Sequence, residues 1–361
     1  MKKIPVGVLG ATGMVGQHYL NLLDNHPWFE VVFLGASEKS ADKTYEEAIL
    51  NRFFLKSPLS KRLLNLKVQA VSSDQNLLTH VKRNCSFVFS ALDTTTAKCY
   101  EEVWAQAGIP IVSNASAHRN SEDVPVLIPE INPHHLKIIP IQKRNRGWDN
   151  GFIVTKPNCS IQSYIAPLFA INAQFPIKRV IALTMQAVSG AGWPGVSSLD
   201  ILGNVIPFIS GEEEKSETEP LKVLGTIKND KIVPNQDLVF SAHCNRVSVL
   251  DGHLACISIE LAKDIPDKDE VLHLWSIFKG NTHVQSLPSS PKQPIIYLEE
   301  ENRPQPRLDC EREKGMTTCV GRLRSCNALH LRFVGLSHNI IRGAAGGGIL
   351  NAELLHALEY F

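Results

Sequence analysis

The stretch Val6-Gly7-Val8-Leu9-Gly10-Ala11-Thr12-Gly13-Met14-Val15-Gly16 decides the fold. Val6 to Leu9 is a short apolar run that reads as a buried strand. Glycines follow at 10, 13 and 16, and apolar residues then recur at Val15, Tyr19, Leu22 and Leu23, the spacing of one helix face. The helix is expected to stop near Asn25-His26-Pro27, and Val31 to Leu34 reads as a second strand. Strand, glycine turn, helix, strand is the setting that a dinucleotide fingerprint requires. Glycines permit the tight turn and let backbone N–H groups approach a pyrophosphate at the helix N-terminus. The spacing is GxxGxxG and not GxGxxG, so a ligand-free βαβ turn stays open beside the nucleotide reading. On the nucleotide reading, Gly10, Thr12, Gly13, Met14 and Val15 lie against the cofactor.

Working outward, the end of the second strand selects between cofactors. An acid there suits the ribose 2′-hydroxyl of NAD. Here the segment is Gly35-Ala36-Ser37-Glu38-Lys39-Ser40. Ser37, Lys39 and Ser40 could hold a 2′-phosphate, as small donors beside one cation. Glu38 argues for NAD unless it points to solvent, and NADP(H) is the expectation. Phe87 to Leu92 reads as a buried parallel strand, with Ser90-Ala91 at the end that would face the ligand crevice. Thr94 to Ala107 reads as a helix closed by Gly108, and Ile109 to Val112 as another strand. It runs into Ser113-Asn114-Ala115-Ser116-Ala117-His118-Arg119, where Arg119 is either an anion ligand or a surface arginine.

At 361 residues the chain is long enough for two domains. Hydrophobic residues make up 43% and charged residues 20%, an ordinary globular balance. The net charge of +1 implies no nucleic-acid partner. No apolar run is long enough to span a bilayer, and Met1-Lys2-Lys3 leads straight into a strand, unlike a signal peptide. The eight cysteines are scattered with no CxxC pair, which argues against a metal site and a disulfide framework alike. The expectation is a cytoplasmic protein with free thiols.

A second stretch carries the chemistry: Val154-Thr155-Lys156-Pro157-Asn158-Cys159-Ser160-Ile161-Gln162. A strand-like run leads in, and Ile161, Ile165, Leu168 and Phe169 lead out with helical spacing. Cys159 is therefore placed where a strand turns into a helix, where free N–H groups and the helix dipole favour a thiolate. A buried structural thiol is the equal alternative. The strand Arg179 to Val188 ends in the glycine-rich loop Ser189-Gly190-Ala191-Gly192-Trp193-Pro194-Gly195. A helix is expected to start near Ser210, which makes a capping pattern with Glu213, and the acidic run Glu212-Glu213-Glu214 reads locally as a solvated first turn. Asn245 to Val249 reads as a strand that turns at Asp251-Gly252, with His253 opening the next. Arg246 and His253, near the ends of adjacent strands, could reach one small anion, and His253 could accept a thiol proton. A surface histidine in a hairpin is the other reading. A final helix follows the glycines at 343 and 346 to 348 and is expected to pack back onto the nucleotide domain.

Taken together, Gly10 to Gly16, Pro157-Asn158-Cys159-Ser160, Gln186 to Gly192, Ser210 to Lys215, Arg246 seven residues before His253, and Arg342 to Gly347 resemble the aspartate-β-semialdehyde dehydrogenase family, in its archaeal and fungal branch. The resemblance covers essentially the whole chain. It implies an α/β protein: a Rossmann-type dinucleotide-binding domain over 1–150, completed by a helix over 340–361, and an α+β catalytic and dimerisation domain with a mixed sheet over 151–339. It implies NADPH-dependent reduction of L-aspartyl-4-phosphate to aspartate semialdehyde with release of inorganic phosphate, as a homodimer or homotetramer. Cys159 would be the nucleophile that forms a thioacyl intermediate, and His253 the general acid/base. Arg246 would clamp the substrate carboxylate and Glu212 take its ammonium, with Arg119 and Lys215 on the phosphate. Asn158 and Gln186 would position the acyl group. Ser189, Gly190 and Asn339 would touch the nicotinamide side of the cofactor. The rival readings are a related acyl reductase, such as a malonyl-CoA reductase, and a non-catalytic NADP-binding sensor.

Overall fold

The computed structural model describes residues 2–361. Six strands, β1 (Ile4–Leu9), β2 (Phe29–Ala36), β3 (Val68–Ala70), β4 (Phe87–Ser90), β5 (Ile111–Ser113) and β6 (Ile153–Thr155), form a parallel sheet in the order β3-β2-β1-β4-β5-β6. A parallel sheet is covered on both faces, so its central strands are apolar throughout. Val6, Val8, Phe87, Val88 and Phe89 are all wholly buried. The helix Met14–Leu23 and the last helix, Gly346–Ala357, share the core on one face, through Tyr19, Leu20 and Leu23 and through Ile349, Leu350 and Leu354. Trp104 and Ala105, on the helix Thr94–Gln106, cover the other. The strand order reverses between β1 and β4, and the crevice outside their C-terminal ends is where such sheets bind ligands.

One boundary differs from the sequence reading. β6 pairs with β5 through Ile111↔Ile153, Val112↔Val154 and Ser113↔Thr155, so the first sheet runs past residue 150 to Thr155. A short apolar run reads the same whichever sheet takes it. The consequence is functional: the loop that carries Cys159 leaves the edge of the nucleotide sheet directly.

The remaining strands are β7 (Ile177–Gln186), β8 (Val205–Ile206), a small hairpin of β9 (Thr226–Lys228) and β10 (Lys231–Val233), β11 (Val239–Val247), β12 (His253–Leu261), β13 (Ile295–Leu298), β14 (Thr318–Ser325) and β15 (Leu331–Ser337). Seven of them form a mixed sheet in the order β13-β14-β15-β12-β7-β11-β8. Alternation along β7 puts Val180 and Ala182 into a core with Ile165, Leu168, Val271 and Trp275 of the helices Ile165–Asn172 and Lys268–Ile277. The opposite face leaves Ile181, Leu183 and Val239 open. No helix among the described residues is long and apolar enough to cross a membrane.

The last helix does return to the first sheet, and its glycines allow it. A Cβ added at Gly348 would sit 1.9 Å from the Tyr19 hydroxyl, and one at Gly343 would sit 2.7 Å from the Cβ of Cys159. Gly348 lets the last helix reach the first one, and Gly343, in the turn Ile341–Ala345 just before it, lets the chain pass over Cys159.

Candidate active site

The loop from β6 descends through Lys156 and Pro157 to Asn158, whose Oδ1 accepts from the Ser160 N–H (2.7 Å) and hydroxyl (2.8 Å). That cap holds Cys159 at the head of a 3₁₀ turn, Ser160–Ser163, with the α-helix starting only at Ile165. The expected passage from strand straight into helix is thus interrupted, and the dipole argument for a thiolate weakens with it. Burial dominates instead. It pushes the Cys159 thiol up to about 11, with the Glu212 carboxylate adding to the rise and Lys156, Arg119 and Arg246 opposing it. These surroundings oppose the lowering that the turn position alone would favour.

Cys159 Sγ lies 3.3 Å from Nε2 of His253, the first residue of β12. His253 is wholly buried, which excludes the surface hairpin reading. Its other ring nitrogen, Nδ1, accepts from the Ala187 N–H at 3.0 Å. A backbone N–H can only donate, so the neutral ring carries its proton on Nε2, the nitrogen that faces the sulfur. Burial, then Arg246 and His338, lowers the His253 pKa to about 3. The ring is therefore a neutral hydrogen-bond donor aimed at Cys159. In this tautomer Nε2 donates toward the sulfur, the acid half of the acid/base role expected from the resemblance.

The polar groups around this pair form a connected set. Glu212 accepts from Asn158 Nδ2 at 2.8 and 3.0 Å, from Gln186 Nε2 at 3.2 Å and from Lys215 Nζ at 3.0 Å. Its helix starts at Glu212, with Gly211 as the cap in a left-handed conformation (φ +69°). The capping pattern expected between Ser210 and Glu213 does not form; the Glu213 carboxylate accepts from the Cys244 N–H at 3.1 Å. Nor is the acidic run a uniformly solvated turn, since Glu212 is only 8% exposed. Arg119 donates to Glu219 (2.8 Å) and to the Asn114 carbonyl (2.8 Å), and its Nε is buried without a partner. Arg246 sits on β11 opposite Gln186 of β7 and donates to the Ala187 carbonyl at 2.7 Å. Gly190 closes over both: a Cβ there would lie 3.0 Å from the Arg246 guanidinium and from the His253 ring. Asn339 accepts from the Gly252 N–H and donates to the Ser189 hydroxyl, both at 2.8 Å, joining the turn before His253 to the glycine loop.

On the nucleotide side the N-terminus of the helix Met14–Leu23 has no side-chain cap and no acid in its first turn. Its free N–H groups and positive dipole fit a pyrophosphate. Gly10 takes φ +72°, and a Cβ there would meet the Ala91 carbonyl at 2.5 Å. Gly13 is exposed, Met14 and Val15 are half-buried, and Thr12 is buried. Ser37, Glu38 and Lys39 are exposed and Ser40 is buried. Of the pair Ser90-Ala91 expected at the crevice, Ser90 is wholly buried against Glu101, and Ala91, with Leu92, is at the open edge. Gly16 packs so tightly that an added Cβ would lie 2.2 Å from the Gly10 carbonyl oxygen and 2.8 Å from Ala11. Gly16→Ala is expected to cost about 1–3 kcal/mol by overpacking and to raise the KM for the nicotinamide cofactor more than that for phosphate. Urea denaturation and steady-state kinetics check it; an unchanged cofactor KM would count against this turn as the cofactor cradle.

Several residues were not foreseen. Glu219 pairs with Arg119 and accepts from the Asn158 N–H at 2.5 Å. A periodic signal for it existed, because Glu212, Ser216 and Glu219 share one buried face of the helix. Arg342 donates to Glu130 at 2.6 Å and to Gln162 at 3.1 Å, behind the cysteine turn. Lys156 lies within the catalytic loop at 2% exposure. Among the described residues, no group of three or more His, Cys, Asp or Glu side chains could hold a metal ion.

A nucleotide fold whose edge strand hands a half-buried cysteine, in contact with a buried histidine, to a mixed-sheet domain is the arrangement of a nicotinamide-dependent enzyme that works through a covalent acyl group. Residues 5–139 match the family described as semialdehyde dehydrogenase, NAD binding domain, and residues 166–342 the one described as semialdehyde dehydrogenase, dimerisation domain. The chain belongs to the aspartate-semialdehyde dehydrogenase family. It is 45% identical to the aspartate-semialdehyde dehydrogenase of Methanothermobacter thermautotrophicus, over 98% of this chain and 99% of that one. It is 42% identical to that of Schizosaccharomyces pombe, over 97% of each. The crystal structure of the Candida albicans enzyme with NADP superposes with a TM-score of 0.89, at 38% identity and full coverage of both chains.

Proposed function

We propose that this enzyme reduces L-aspartyl-4-phosphate to L-aspartate 4-semialdehyde with NADPH, through a thioacyl intermediate on Cys159. The observation that carries the reading is the Cys159–His253 contact of 3.3 Å, between a half-buried thiol and a buried ring, with Arg119, Arg246, Glu212 and Lys215 around it. A substrate bearing a carboxylate, an ammonium and an acyl phosphate presents the complementary charges. NADPH, held by the glycine turn and the helix N-terminus, supplies the hydride. For NADP over NAD, the support is exposed Ser37 and Lys39 beside Ser40, with Glu38 turned to solvent, and the NADP complex of the Candida albicans relative.

The resting ion pair between Lys215 and Glu212 suggests an order of events. The substrate ammonium replaces Lys215 on Glu212, and Lys215 turns to the phosphate with Arg119. Glu212 is the charge that raises the Cys159 thiol most, so its neutralisation lowers the thiol pKa when substrate arrives. Arg246 holds the substrate carboxylate at two points. The Cys159 sulfur attacks the acyl carbon, the C–S bond forms and the C–O bond to phosphate breaks. The proton consumed overall ends on the released phosphate. His253 Nε2–H donates to the acyl oxygen, as a preorganised neutral electrophile. After hydride addition the tetrahedral oxyanion re-forms its C=O and expels the cysteine as thiolate. The thiolate therefore returns at each turnover without a base at His253.

The open face of the mixed sheet, with Ile181, Leu183 and Val239, is the surface on which two copies would pair. The test of function is phosphate-dependent oxidation of aspartate semialdehyde with NADP; absence of that activity with either NADP or NAD rejects the reading. In the same assay Lys215→Met is expected to raise the KM for phosphate about 10-fold or more with little change in cofactor KM. An unchanged phosphate KM would remove Lys215 from the phosphate site. Strict phosphate dependence also separates this reading from a reductase of CoA thioesters.

A further inference from the structure

Lys156 is the one charged group of the catalytic loop that this chemistry leaves without a part. It is 2% exposed. Its Nζ donates to the carbonyl of Pro157 at 2.6 Å and to the carbonyl of Gly343. The neighbouring cations have acids: Arg119 has Glu219, Arg342 has Glu130 and Lys215 has Glu212. Among the described residues Lys156 has none, and Arg246, which also has none, is reserved for the substrate carboxylate. A buried ammonium without a counter-charge is costly.

Of the groups that favour the charge of Lys156, Cys159 acts most strongly, ahead of Glu219, which is already engaged by Arg119. Cys159 is three residues along the chain, and the Gly343 whose carbonyl Lys156 holds packs directly on it, within 2.7 Å of where a glycine Cβ would be. His253 supplies no positive charge, because the Ala187 N–H occupies its Nδ1. We infer that Lys156 is the counter-ion of the Cys159 thiolate, a positioning residue whose ammonium favours the ionised sulfur while its two hydrogen bonds hold the loop against Gly343. The inference rests on Cys159 being the nucleophile.

The surrounding charges agree with this role. Burial first, then Arg119 and Arg342, lowers the Lys156 pKa to about 7, against the opposing pull of Cys159 and Glu219. Seen from Cys159, Glu212 disfavours the thiolate, and Lys156 is the first of the cations that favour it, ahead of Arg119 and Arg246. Each group favours the charged form of the other, so a change at one moves the titration of the other.

The test is the pH dependence of Cys159 alkylation by iodoacetamide in the full-length protein, read on the Cys159 peptide by mass spectrometry. Lys156→Met removes the charge and both hydrogen bonds. Lys156→Gln removes the charge but keeps a donor, and Lys156→Arg keeps the charge. In the Met and Gln variants the alkylation midpoint is expected to rise by about one pH unit or more, a fall of about 10-fold or more in rate at pH 7. In Lys156→Arg it is expected to stay nearer the wild type. A midpoint unmoved in Met and Gln, or restored by Gln, would assign Lys156 to loop structure alone and overturn the inference. Should these variants not fold, the wild type decides: the ¹³Cε resonance of the lysine that titrates near neutrality is expected to move to lower pH after Cys159 is alkylated to a neutral adduct. No movement overturns the inference. Failure of the nucleophile itself shows differently, as activity retained in Cys159→Ala.

Discussion

Cys159→Ala is expected to lower kcat for the phosphate-dependent oxidation about 10⁴-fold or more while the protein stays folded and binds NADP as before. The size follows from what the sulfur does. A thioester accepts hydride, a carboxylate does not, and without the sulfur no side chain here replaces the covalent acyl carrier. Ser160 is the neighbouring hydroxyl, but it donates to Asn158 at 2.8 Å and is wholly buried. The fold has little reason to suffer. The Cys159 side chain points at a single partner, His253, and removing one sulfur next to Gly343 leaves only a small space. Melting temperature and NADP fluorescence titration monitor the fold, and single-turnover reduction of aspartyl phosphate monitors the chemistry. Retention of more than about 1% of wild-type kcat would sink the covalent mechanism.

His253→Ala gives a contrasting profile and separates two roles for the ring. A base that takes the thiol proton would leave alkylation of Cys159 slow in the variant. A donor to the acyl oxygen would leave alkylation nearly intact and slow the acyl and hydride steps instead. The Ala187 N–H at 3.0 Å from Nδ1 is the reason for expecting the second pattern.

The nucleotide half was legible because its signals are local. Strand, glycine turn and helix lie within residues 4–23, and each glycine answers to a contact inside that segment or just across from it, as Gly10 to Ala91. The catalytic half was not legible from residue patterns alone. Cys159 and His253 are 94 residues apart, and residue chemistry could offer the pair only beside a surface-histidine alternative; the family resemblance chose between them. Lys156 is the plainest failure of pattern reading. A lysine after a strand defaults to solvent, and its burial is decided by Gly343, 187 residues away. The thiol's surroundings were out of reach for a related reason: the turn position is local, but the burial and the Glu212 charge that push the thiol up come from other elements.

Acid is expected to unfold this enzyme well before its carboxylates are protonated, because two wholly buried histidines are held neutral. His135 accepts from Asn132 on Nδ1 and donates from Nε2 to the Gly225 carbonyl, each at 3.0 Å, and burial lowers its pKa to about 4. His253 is lowered to about 3. Both start from 6.5 in the unfolded chain. The folded values lie below the unfolded ones, so as the pH falls below 6.5 the unfolded state takes up protons first. Stability is complete above that pH and is lost toward 4 and 3. Each group contributes about 1.4 kcal/mol per pH unit across its window. Glu101 opposes them: burial pushes its carboxyl up to about 7 from 4.5, so the folded state gains that proton first. Half-buried His18, lowered to about 4, offsets part of this. The net slope is then about 1.4–2.7 kcal/mol per pH unit, or roughly 3–5 kcal/mol between pH 6.5 and 4.5, a large share of an ordinary domain's stability. Urea midpoints at pH 7.5, 6, 5 and 4.5 measure it. His135→Gln keeps an acceptor for Asn132 and a donor for Gly225 but cannot titrate, and it is expected to flatten the slope by about 1.4 kcal/mol per unit. A urea midpoint that does not move between pH 7 and 5, or a slope that His135→Gln leaves unchanged, would show that these rings do not carry the acid sensitivity.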